Sequence, residues 1–548
     1  MIDITACFVE SKCGGILDAM KKWYFLLLLA ILALGAFLRF YAITETPPGL
    51  YPDEAMNGNN ALEALSTDRF RVFYPENNGR EGLFINLQAI SLAVFGNEPW
   101  ALRGVAALFG TLTIVGIYLL SSELLKSRAA GLLSAFFLAT SYWHVNFSRI
   151  GFRAILVPFF ATFAMYFLFK GLRRDNILNL VLAGIFAGLG FHTYIAFRFM
   201  LFVFAVPIVW YLLQNQKSKI KNGAACVSCA TVLFLFIAFV IALPLGVYFL
   251  QYPNDFLGRG SQVSIFSADA PLRELGKSSL STVAMLFVKG DCNWRHNFNC
   301  KPQLDPLVAA FFIAGAVALT MRSGLIGGIL FVSLVAMSLP AILTREGLPH
   351  ALRAIGMLPP VMIMAGYGAW WSGTKVTAWL ERQKIKWPEY ARQLARIRRE
   401  LIILFLVLLL TIPLATYQNY FLRWAGHPET YAAFSADLLH IGQFLNSLPR
   451  DIKKYVVINA AGTDVRGIPM PAQTVMFATD TFRGEERQEK NLFYLTRDET
   501  SRIELPDTER VLIAILDGGD RDLIRSLRQK FPALKVGAPD DFVVLQNY

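Results

Sequence analysis

Residues 23–43 read WYFLLLLAILALGAFLRFYAI and are followed at once by TETPPGLYPDEA at residues 44–55. An uninterrupted apolar run of about twenty residues is long enough, as a helix, to cross a hydrocarbon core about 30 Å thick. Similar runs recur along the chain, for example at residues 154–172 and 401–420. The sequence therefore predicts a mainly α polytopic membrane protein.

The composition also favours a membrane protein over a soluble one. Of 548 residues, 55% are hydrophobic and 17% are charged, and the mean hydropathy is +0.44. Soluble domains contain roughly 25% charged residues. The formal net charge is +12, but the basic residues lie in short connections between apolar runs, so no nucleic-acid partner is expected.

Hydropathy predicts about eleven transmembrane helices and then a small α/β domain. The predicted spans are residues 23–43, 104–124, 129–144, 154–172, 178–195, 197–214, 224–250, 305–321, 324–343, 354–373 and 401–420. Residues 1–22 form a cytoplasmic N-terminus if Lys21 and Lys22 follow the positive-inside rule, and the other short basic connections then face the cytoplasm as well. Residues 23–421 form the transmembrane domain, and an odd number of spans places residues 422–548 outside the cytoplasm of a cell (plasma) membrane protein.

Three stretches between the spans are expected on the extracytoplasmic side, at residues 44–103, 251–304 and 345–353. The first contains residues 83–95, which are apolar but too short to span and are predicted to be an interfacial helix. Residues 55–66 are predicted to form a second short helix before it. Cys292 and Cys300 fall in the second stretch and can pair if it is extracytoplasmic. This side has the surface on which chemistry is expected.

The most informative local feature is Pro52-Asp53-Glu54, about ten residues after the first span. Two adjacent carboxylates can be an N-cap and a first-turn residue of the following helix. They can also be catalytic groups of a site at the membrane surface. In that second interpretation Asp53 is the general base and Glu54 lies beside it.

Arginines gather on the same side of the predicted membrane domain. They are Arg80, Arg103, Arg149, Arg153, Arg198, Arg345 and Arg353. A single arginine there is typical of a side chain anchored at the interface. Seven together suit an anionic headgroup, because the guanidinium binds phosphate oxygens in pairs. The candidate phosphate-binding residues are Arg80, Arg103, Arg149, Arg153 and Arg353.

All six histidines are also expected outside the cytoplasm: His144, His192, His296, His350, His427 and His440. His144, His192 and His350 lie at span ends and are candidate substrate-binding residues. They could instead meet Asp53 or Glu54 around a divalent metal. Their spacing has no ligand signature, so the metal ligands stay unknown and no cofactor is assigned.

Two motifs and the layout of the spans resemble one known superfamily. The motifs are Tyr51-Pro-Asp-Glu-Ala55 and Phe95-Gly-Asn-Glu-Pro-Trp-Ala-Leu-Arg103. They are similar to the dolichyl-phosphate-mannose protein mannosyltransferases, membrane GT-C-type enzymes whose bacterial relatives include the aminoarabinose transferases of lipid A. The resemblance implies interfacial helices in the first outer loop and sugar transfer from a polyprenyl-phosphate carrier. It also implies that Asp53 is the catalytic carboxylate and that Arg103 is the arginine heading the second span.

The sequence departs from that pattern in two places. Many members of the superfamily have Lys-Pro-Pro or His-Pro-Pro where this chain has Gly79-Arg80-Glu81-Gly82, so Arg80 stands in for the usual basic residue. Residues 144–153 lack the acidic residue of the aminoarabinose transferases. The acceptor therefore cannot be inferred from those enzymes.

The expected function is an inverting glycosyltransferase. Its partners would be a polyprenyl-phosphate-linked sugar, an envelope acceptor (protein, lipid or glycan) and membrane lipid. The main alternative is a transporter or flippase of a lipid-linked sugar that breaks no bond, and a third is a non-catalytic partner in envelope assembly. Long outer loops and few ionisable residues within the spans favour the enzyme.

Overall fold

The computed structural model describes residues 13–218, 227–322, 324–506, 508–539 and 541–548. Helices make up most of the membrane domain. They are α1 (Cys13–Phe40), α2 (Pro52–Thr67), α3 (Gly82–Phe95), α4 (Pro99–Leu125), α5 (Arg128–Thr140), α6 (Tyr142–Phe147), α7 (Leu156–Arg174), α8 (Ile177–Phe191), α9 (Met200–Ser218), α10 (Val227–Gln251), α11 (Pro253–Val263), α12 (Pro271–Phe287), α13 (Pro306–Arg322), α14 (Leu325–Ile342), α15 (Leu358–Lys386) and α16 (Ala391–Tyr417). One short hairpin, β1 (Phe73–Tyr74) and β2 (Arg80–Glu81), lies between α2 and α3.

The described residues of the eleven apolar segments predicted from hydropathy lie mainly in helices, and residues 224–226 lie outside the described part of the chain. Within the described residues, seven helices are long and apolar enough to cross a membrane: α1, α4, α7, α9, α10, α14 and α16. Helices α5, α8 and α13 are apolar but shorter. The chain is thus a multi-pass membrane protein, while the count of eleven spans stays a prediction.

Small residues let the central helices approach closely. A Cβ atom on Gly315 of α13 would lie 1.9 Å from the carbonyl oxygen of Met364 in α15. A Cβ atom on Gly368 of α15 would lie equally close, at 1.9 Å, to the carbonyl oxygen of Phe311. Such glycine contacts are typical of helix pairs within a bilayer, where close packing replaces the hydrophobic effect as the source of association.

The three long connections lie together on one side of the membrane domain. The amide of Arg345 donates to the carbonyl of Val263 at 3.1 Å. The guanidinium of Arg295 lies 3.9 Å from the centre of the Tyr51 ring. We call this side the Asp53 face and define it as residues 44–98, 252–305 and 343–354. That these stretches share one side is confirmed, and so are the two short helices, which are α2 and α3.

The second connection is closed by a disulfide between Cys292 and Cys300, as its sequence suggested. The side chain of Asn146 donates to the carbonyl of Arg295 within this disulfide loop at 2.8 Å. The loop is therefore fixed against the end of the α5–α6 region.

The C-terminal residues form the expected small α/β domain. Helix α16 continues as a π-helical turn, Gln418–Trp424, which leads to α17 (Pro428–Ala433) and α18 (Ala436–Ser447). The remaining elements are β3 (Lys453–Ile458), β4 (Asp464–Val465), β5 (Ile468–Pro469), α19 (Ala472–Thr479), α20 (Gly484–Glu489), β6 (Leu492–Thr496), β7 (Val511–Ile515), α21 (Arg521–Lys530), β8 (Lys535–Gly537) and β9 (Val543–Gln546).

A five-stranded sheet in the order β6-β3-β7-β9-β8 forms the centre of this domain. Strand β3 is parallel to β6 and β7, whereas β9 is antiparallel to β7 and β8. Helices α18 and α19 contribute apolar residues to the core on one face of the sheet, and α21 contributes to the core on the other face. From the sequence, helices are predicted at residues 431–448 and 520–531, and strands at residues 455–459, 511–516 and 542–546. The α17–α18 region, α21, β3, β7 and β9 confirm them, whereas β6, β8 and α19 have no counterpart among these predictions.

Candidate functional site

Asp53 lies in the first turn of α2 on the Asp53 face, with a half-buried side chain. The helix begins at Pro52, and proline suits this position because its ring already holds the helical φ angle. A carboxylate in the first turn is also stabilised by the helix dipole. Within the described residues its carboxylate accepts one hydrogen bond, from the Asn77 side chain at 2.8 Å. The expected N-cap role is not seen, since the cap residue is Tyr51.

The hairpin β1–β2 brings the partners of Asp53 into place. Its loop holds Asn77, Asn78 and Gly79 at φ angles of 51°, 63° and 79°. Asparagine and glycine tolerate this left-handed conformation better than other residues do. The loop thereby carries Asn77 onto Asp53 and leads directly into Arg80.

Arg80 lies behind the loop and is bound to α2. It is 2% exposed and donates to the side-chain oxygens of Asn57 at 2.7 Å and Asn60 at 2.5 Å. Burial, followed by repulsion from Arg153, lowers the pKa of Arg80 to about 10, which leaves it protonated at neutral pH. Attraction to the Glu76 and Asp53 carboxylates acts in the opposite direction on this pKa. Asn57 lies one helical turn after Asp53 on the same side of α2, so the guanidinium bound to Asn57 lies near Asp53.

Arg153 lies between the residues around Asp53 and a cavity. Its Nε donates to a Glu81 carboxylate oxygen at 2.8 Å, and its guanidinium lies 5.3 Å from the centre of the Tyr194 ring. Tyr194 lines a cavity of about 240 Å³ together with Phe199, Ser264, Leu343 and Arg353. Arg353 forms an ion pair with Glu346 at 3.6 Å at this cavity. Arg80, Arg153 and Arg353 thus lie along one path that begins at Asp53.

Glu54 is not an accessible catalytic group, which corrects the expectation from sequence. It is 0% exposed and accepts two hydrogen bonds from Arg103, at 3.0 and 3.1 Å. The amide of Gly151 donates to it as well, at 2.7 Å. Arg103 also donates to the carbonyls of Pro47 and Gly49. Glu54 and Arg103 therefore form a buried ion pair that fixes α2 to α4 and to the residue 151 region.

Arg149 is likewise enclosed, and we withdraw it from the candidate phosphate ligands. It is 0% exposed, donates to the carbonyls of Leu38 and Thr46, and packs over the rings of Tyr420 and Phe421.

The two remaining arginines of the seven predicted on this side also have contacts within the fold. Arg198 packs over the rings of Phe249 and Phe256, and Arg345 donates to the carbonyl of Ser267.

The structure separates the three candidate substrate-binding histidines. His144 is fully buried and contacts Arg39 through Nδ1 at 2.6 Å. His192 contacts the carbonyl of Ile241 through Nε2 at 2.9 Å. The alternative considered for these histidines, a metal group with Asp53 or Glu54, is not formed among the described residues. Among the described residues, the group with metal-ligand spacing is Asp291, His296 and His350.

The C-terminal domain docks on the helix that carries Asp53. Helix α19 packs against α2, where a Cβ atom on Gly58 would lie 2.4 Å from the Phe477 ring. The side chain of Asn59 donates to Gln473 at 3.0 Å, and the Thr474 hydroxyl donates to the carbonyl of Leu50 at 2.9 Å. The domain is thus part of the site's framework.

Arg466 completes this docking from the turn between β4 and β5. It donates to both carboxylate oxygens of Glu63 on α2, at 2.7 and 2.9 Å. It also donates at 2.6 Å to Glu76, which is adjacent to Asn77. One side chain therefore holds both α2 and the loop that contacts Asp53.

Two glycine-to-alanine variants test the docking surface. Gly58→Ala is expected to destabilise the docked domain by about 1–3 kcal/mol because the new methyl group overlaps the Phe477 ring. Gly104→Ala in α4 is the matched control, since its Cβ meets no atom within 4 Å. Limited proteolysis of the α16–α18 connection measures undocking. Equal cleavage of the two variants would contradict the close packing of α19 on α2.

Acid is expected to weaken the docking of the C-terminal domain at the contact between Arg466 and Glu76. Burial alone would raise the pKa of Glu76. The hydrogen bond from Arg466, a backbone hydrogen bond and attraction to Arg466 and Arg80 together outweigh burial, so the pKa lies below its usual value. A carboxyl group of this kind stabilises the fold above its unfolded pKa and loses that contribution as the pH falls through the folded value. Cleavage of the α16–α18 connection, normalised to an unstructured peptide, should be constant from about pH 7 to 5 and rise below about pH 4. An Arg466→Gln variant should lack this rise in cleavage at low pH. If the variant showed a rise as large as that of the wild type, the Arg466–Glu76 contact would not be its cause.

Known proteins resemble this chain in sequence and in fold. Residues 83–242 match the family model described as dolichyl-phosphate-mannose-protein mannosyltransferase. YkcB of Bacillus subtilis (strain 168), whose name suggests a mannosyltransferase, is 25% identical over 226 residues. That alignment covers 40% of this chain but only 30% of YkcB.

Solved structures match over almost the whole chain. The crystal structure of ArnT from Cupriavidus metallidurans bound to undecaprenyl phosphate has a TM-score of 0.61 at 13% identity, covering 96% of this chain and 98% of ArnT. The apo ArnT structure gives a TM-score of 0.59 at 13% identity, with 97% of this chain and 98% of ArnT covered. The chain therefore has the GT-C-type membrane fold of ArnT. Its resemblance to the dolichyl-phosphate-mannose protein mannosyltransferase superfamily is confirmed.

Proposed function

We propose that the chain is a membrane glycosyltransferase that moves a sugar from a polyprenyl-phosphate donor to a hydroxyl group of an envelope acceptor, with inversion. The observation that carries the proposal is the half-buried Asp53 carboxylate, held by Asn77 beside Arg80 and Arg153. The neighbouring Glu54 is enclosed by Arg103, so only Asp53 of this pair can reach a substrate. The family match and the ArnT-like fold support the same class of reaction.

In the proposed reaction, a carboxylate oxygen of Asp53 accepts the proton of the acceptor hydroxyl. The hydroxyl oxygen forms a bond to the anomeric carbon from one side as the bond to the phosphate oxygen breaks on the other. The electron pair leaves with the lipid phosphate, and protonated Asp53 later returns its proton to water. A phosphate leaves readily without a general acid, so fixed positive charge is the more useful assistance.

Arg80 and Arg153 are the proposed source of that charge. Arg80 is held rigidly by Asn57 and Asn60, which removes the need to reorganise it during the reaction. Arg153 reaches from Glu81 toward Tyr194 at the mouth of the 240 Å³ cavity. The cavity has apolar walls at Phe199 and Leu343 and a cation at Arg353, which suits the first isoprene units and phosphate of the donor.

The partners and orientation follow from the same proposal. The ArnT structure contains undecaprenyl phosphate, and a polyprenyl phosphate of this kind is the proposed product carrier here. The positive-inside rule places the Asp53 face and the C-terminal domain on the extracytoplasmic side of the plasma membrane. The acceptor would approach Asp53 from that side.

The proposal is tested by supplying labelled polyprenyl-phosphate sugars to purified protein in lipid, together with envelope extract as acceptor. We expect label to leave the carrier and to appear in an acceptor fraction, with polyprenyl phosphate as the second product. The competing function is a flippase, which would move the labelled lipid between leaflets and return it intact. Intact donor across a broad sugar panel, with measured lipid movement, would favour the flippase.

A further inference from the structure

A second group of chemistry-bearing side chains lies on the Asp53 face, outside the path described above. Asp291 and His296 belong to the disulfide loop between α12 and α13, and His350 belongs to the turn between α14 and α15. Asp291 and His296 are buried, and His350 is half-buried. The loop and the turn are distant in sequence, and here their polar side chains converge.

The ligand atoms of this group lie close to the spacing of neighbouring metal ligands. His296 Nδ1 lies 2.8 Å from Asp291 Oδ2, and the rings of His296 and His350 are 4.9 Å apart between centres. One ligand atom from each of the three residues lies within 4.8 Å of the others. Two nitrogen ligands at about 2.05 Å from a tetrahedral Zn²⁺ ion are themselves about 3.3 Å apart. His350 needs only a small movement of its half-exposed turn to meet this spacing.

The surroundings of Asp291 are those of a ligating carboxylate. The amide of Ala351 donates to Oδ2 at 2.8 Å, and the amide of Asn293 donates to Oδ1, also at 2.8 Å. Metal-binding carboxylates and histidines are typically held by such an outer layer of hydrogen bonds, which fixes their orientation before the ion arrives. The disulfide between Cys292 and Cys300 restrains the same loop.

We propose that Asp291, His296 and His350 bind a divalent cation of the zinc type. Two imidazoles with one carboxylate favour such borderline metals over Mg²⁺ or Ca²⁺, which prefer oxygen ligands. Water fills the remaining coordination position.

The ion would connect the disulfide loop to the turn that carries Arg353. The loop also presents Arg295 to the ring of Tyr51, two residues before Asp53. The ion therefore fixes the relative position of the loop and the turn and takes no part in the reaction proposed above. The proposal stands independently of the glycosyltransferase activity.

The test measures Zn²⁺ binding to the purified full-length chain in detergent, without any sugar substrate. After metal removal and dialysis against micromolar Zn²⁺, elemental analysis of the wild type should give about one zinc per chain. His296→Ala, His350→Gln and Asp291→Asn should each weaken binding at least about a hundredfold, since loss of a ligand exceeds the 10–100-fold effect typical of an outer-layer group. Zinc should also raise the Tm of the wild type and not that of the three variants.

The chain offers a matched control in His440, which pairs with Asp541 in the C-terminal domain. Within the part of the chain that the structure describes, this pair does not belong to a group with metal-ligand spacing. His440→Ala should retain the zinc of the wild type. His350→Gln changes a half-exposed residue, so it remains informative if His296→Ala does not fold. A wild-type protein that does not bind micromolar Zn²⁺, or a His350→Gln variant that binds it equally well, would overturn the proposal. The proposal would also be overturned if His440→Ala lost as much zinc as His350→Gln.

Discussion

Asp53→Asn is expected to lower the rate of sugar transfer by about 10²–10⁴-fold, the range typical for loss of a positioned general base. Asparagine has nearly the same shape and can still contact Asn77, but its amide cannot accept the acceptor proton. The fold should be unaffected, because the Asp53 side chain is half-buried and has this one hydrogen bond within the described residues. The effect should therefore be on turnover and not on the binding of donor lipid.

The measurement is single-turnover transfer of labelled sugar at saturating donor, with donor binding measured separately on the same preparation. Asp68→Asn is the matched control, since Asp68 is an exposed carboxylate at the other end of α2. It should transfer sugar at the wild-type rate. Full turnover by Asp53→Asn, with donor and acceptor both bound, would remove Asp53 from the mechanism.

Glu54→Gln should have a large effect of another kind, on folding. The substitution leaves the Arg103 guanidinium buried without its opposite charge, and breaking a buried pair in this way typically destabilises by about 3–5 kcal/mol. Glutamine can keep some hydrogen bonds to Arg103 and to the Gly151 amide, but not the charge. The adjacent carboxylates should therefore give opposite phenotypes, inactive but stable for Asp53→Asn and unstable for Glu54→Gln.

Thermal unfolding and the yield of monodisperse protein in detergent measure this second effect. Glu45→Gln, an exposed carboxylate in the same connection, is the control and should be neutral. The double variant Glu54→Gln/Arg103→Gln should recover part of the lost stability, because no uncompensated charge remains. If Glu54→Gln were as stable as the wild type, the ion pair would not be a structural element of α2.

The sequence was sufficient to place the helices because bilayer thickness imposes a length that hydropathy detects directly. The described residues of the predicted apolar segments lie mainly in helices, and α3 was recognised as an apolar run too short to span. Helix α2 was recognised as a short helix before it. The number of spans is harder to obtain. Helices such as α5 and α8 are shorter than the bilayer requires for an upright span, and only their packing against neighbours shows how they are accommodated.

The candidate site was only partly predictable. Asp53 stood out as a carboxylate after the first span, but its neighbour Glu54 could not be assigned a role from adjacency. Consecutive residues on an α-helix point about 100° apart, so two adjacent carboxylates face different surroundings. Here one faces Asn77 and the other faces Arg103.

The amide groups around Arg80 had a weak signal in the sequence. Residues 57–60 read Asn-Gly-Asn-Asn within the helix predicted at 55–66, and residues 77–79 read Asn-Asn-Gly, which is typical of a turn. Neither pattern predicts contacts with an arginine. The partners of Asn59 and Glu63 in the C-terminal domain had no local signal at all. Contacts between residues separated by 414 positions, such as Asn59 and Gln473, depend on the folded arrangement of the whole chain.

The long sequence separation between α2 and the residues that cover it affects how the protein is synthesised. Helix α2 emerges early in synthesis, yet the surface that covers its Gly58 side is contributed by Phe477. Until translation reaches that point, the helix bearing Asp53 is exposed to solvent and to chaperones on a face that is buried in the finished molecule. Burial of the helix that carries Asp53 is thus coupled to synthesis of the C-terminal domain.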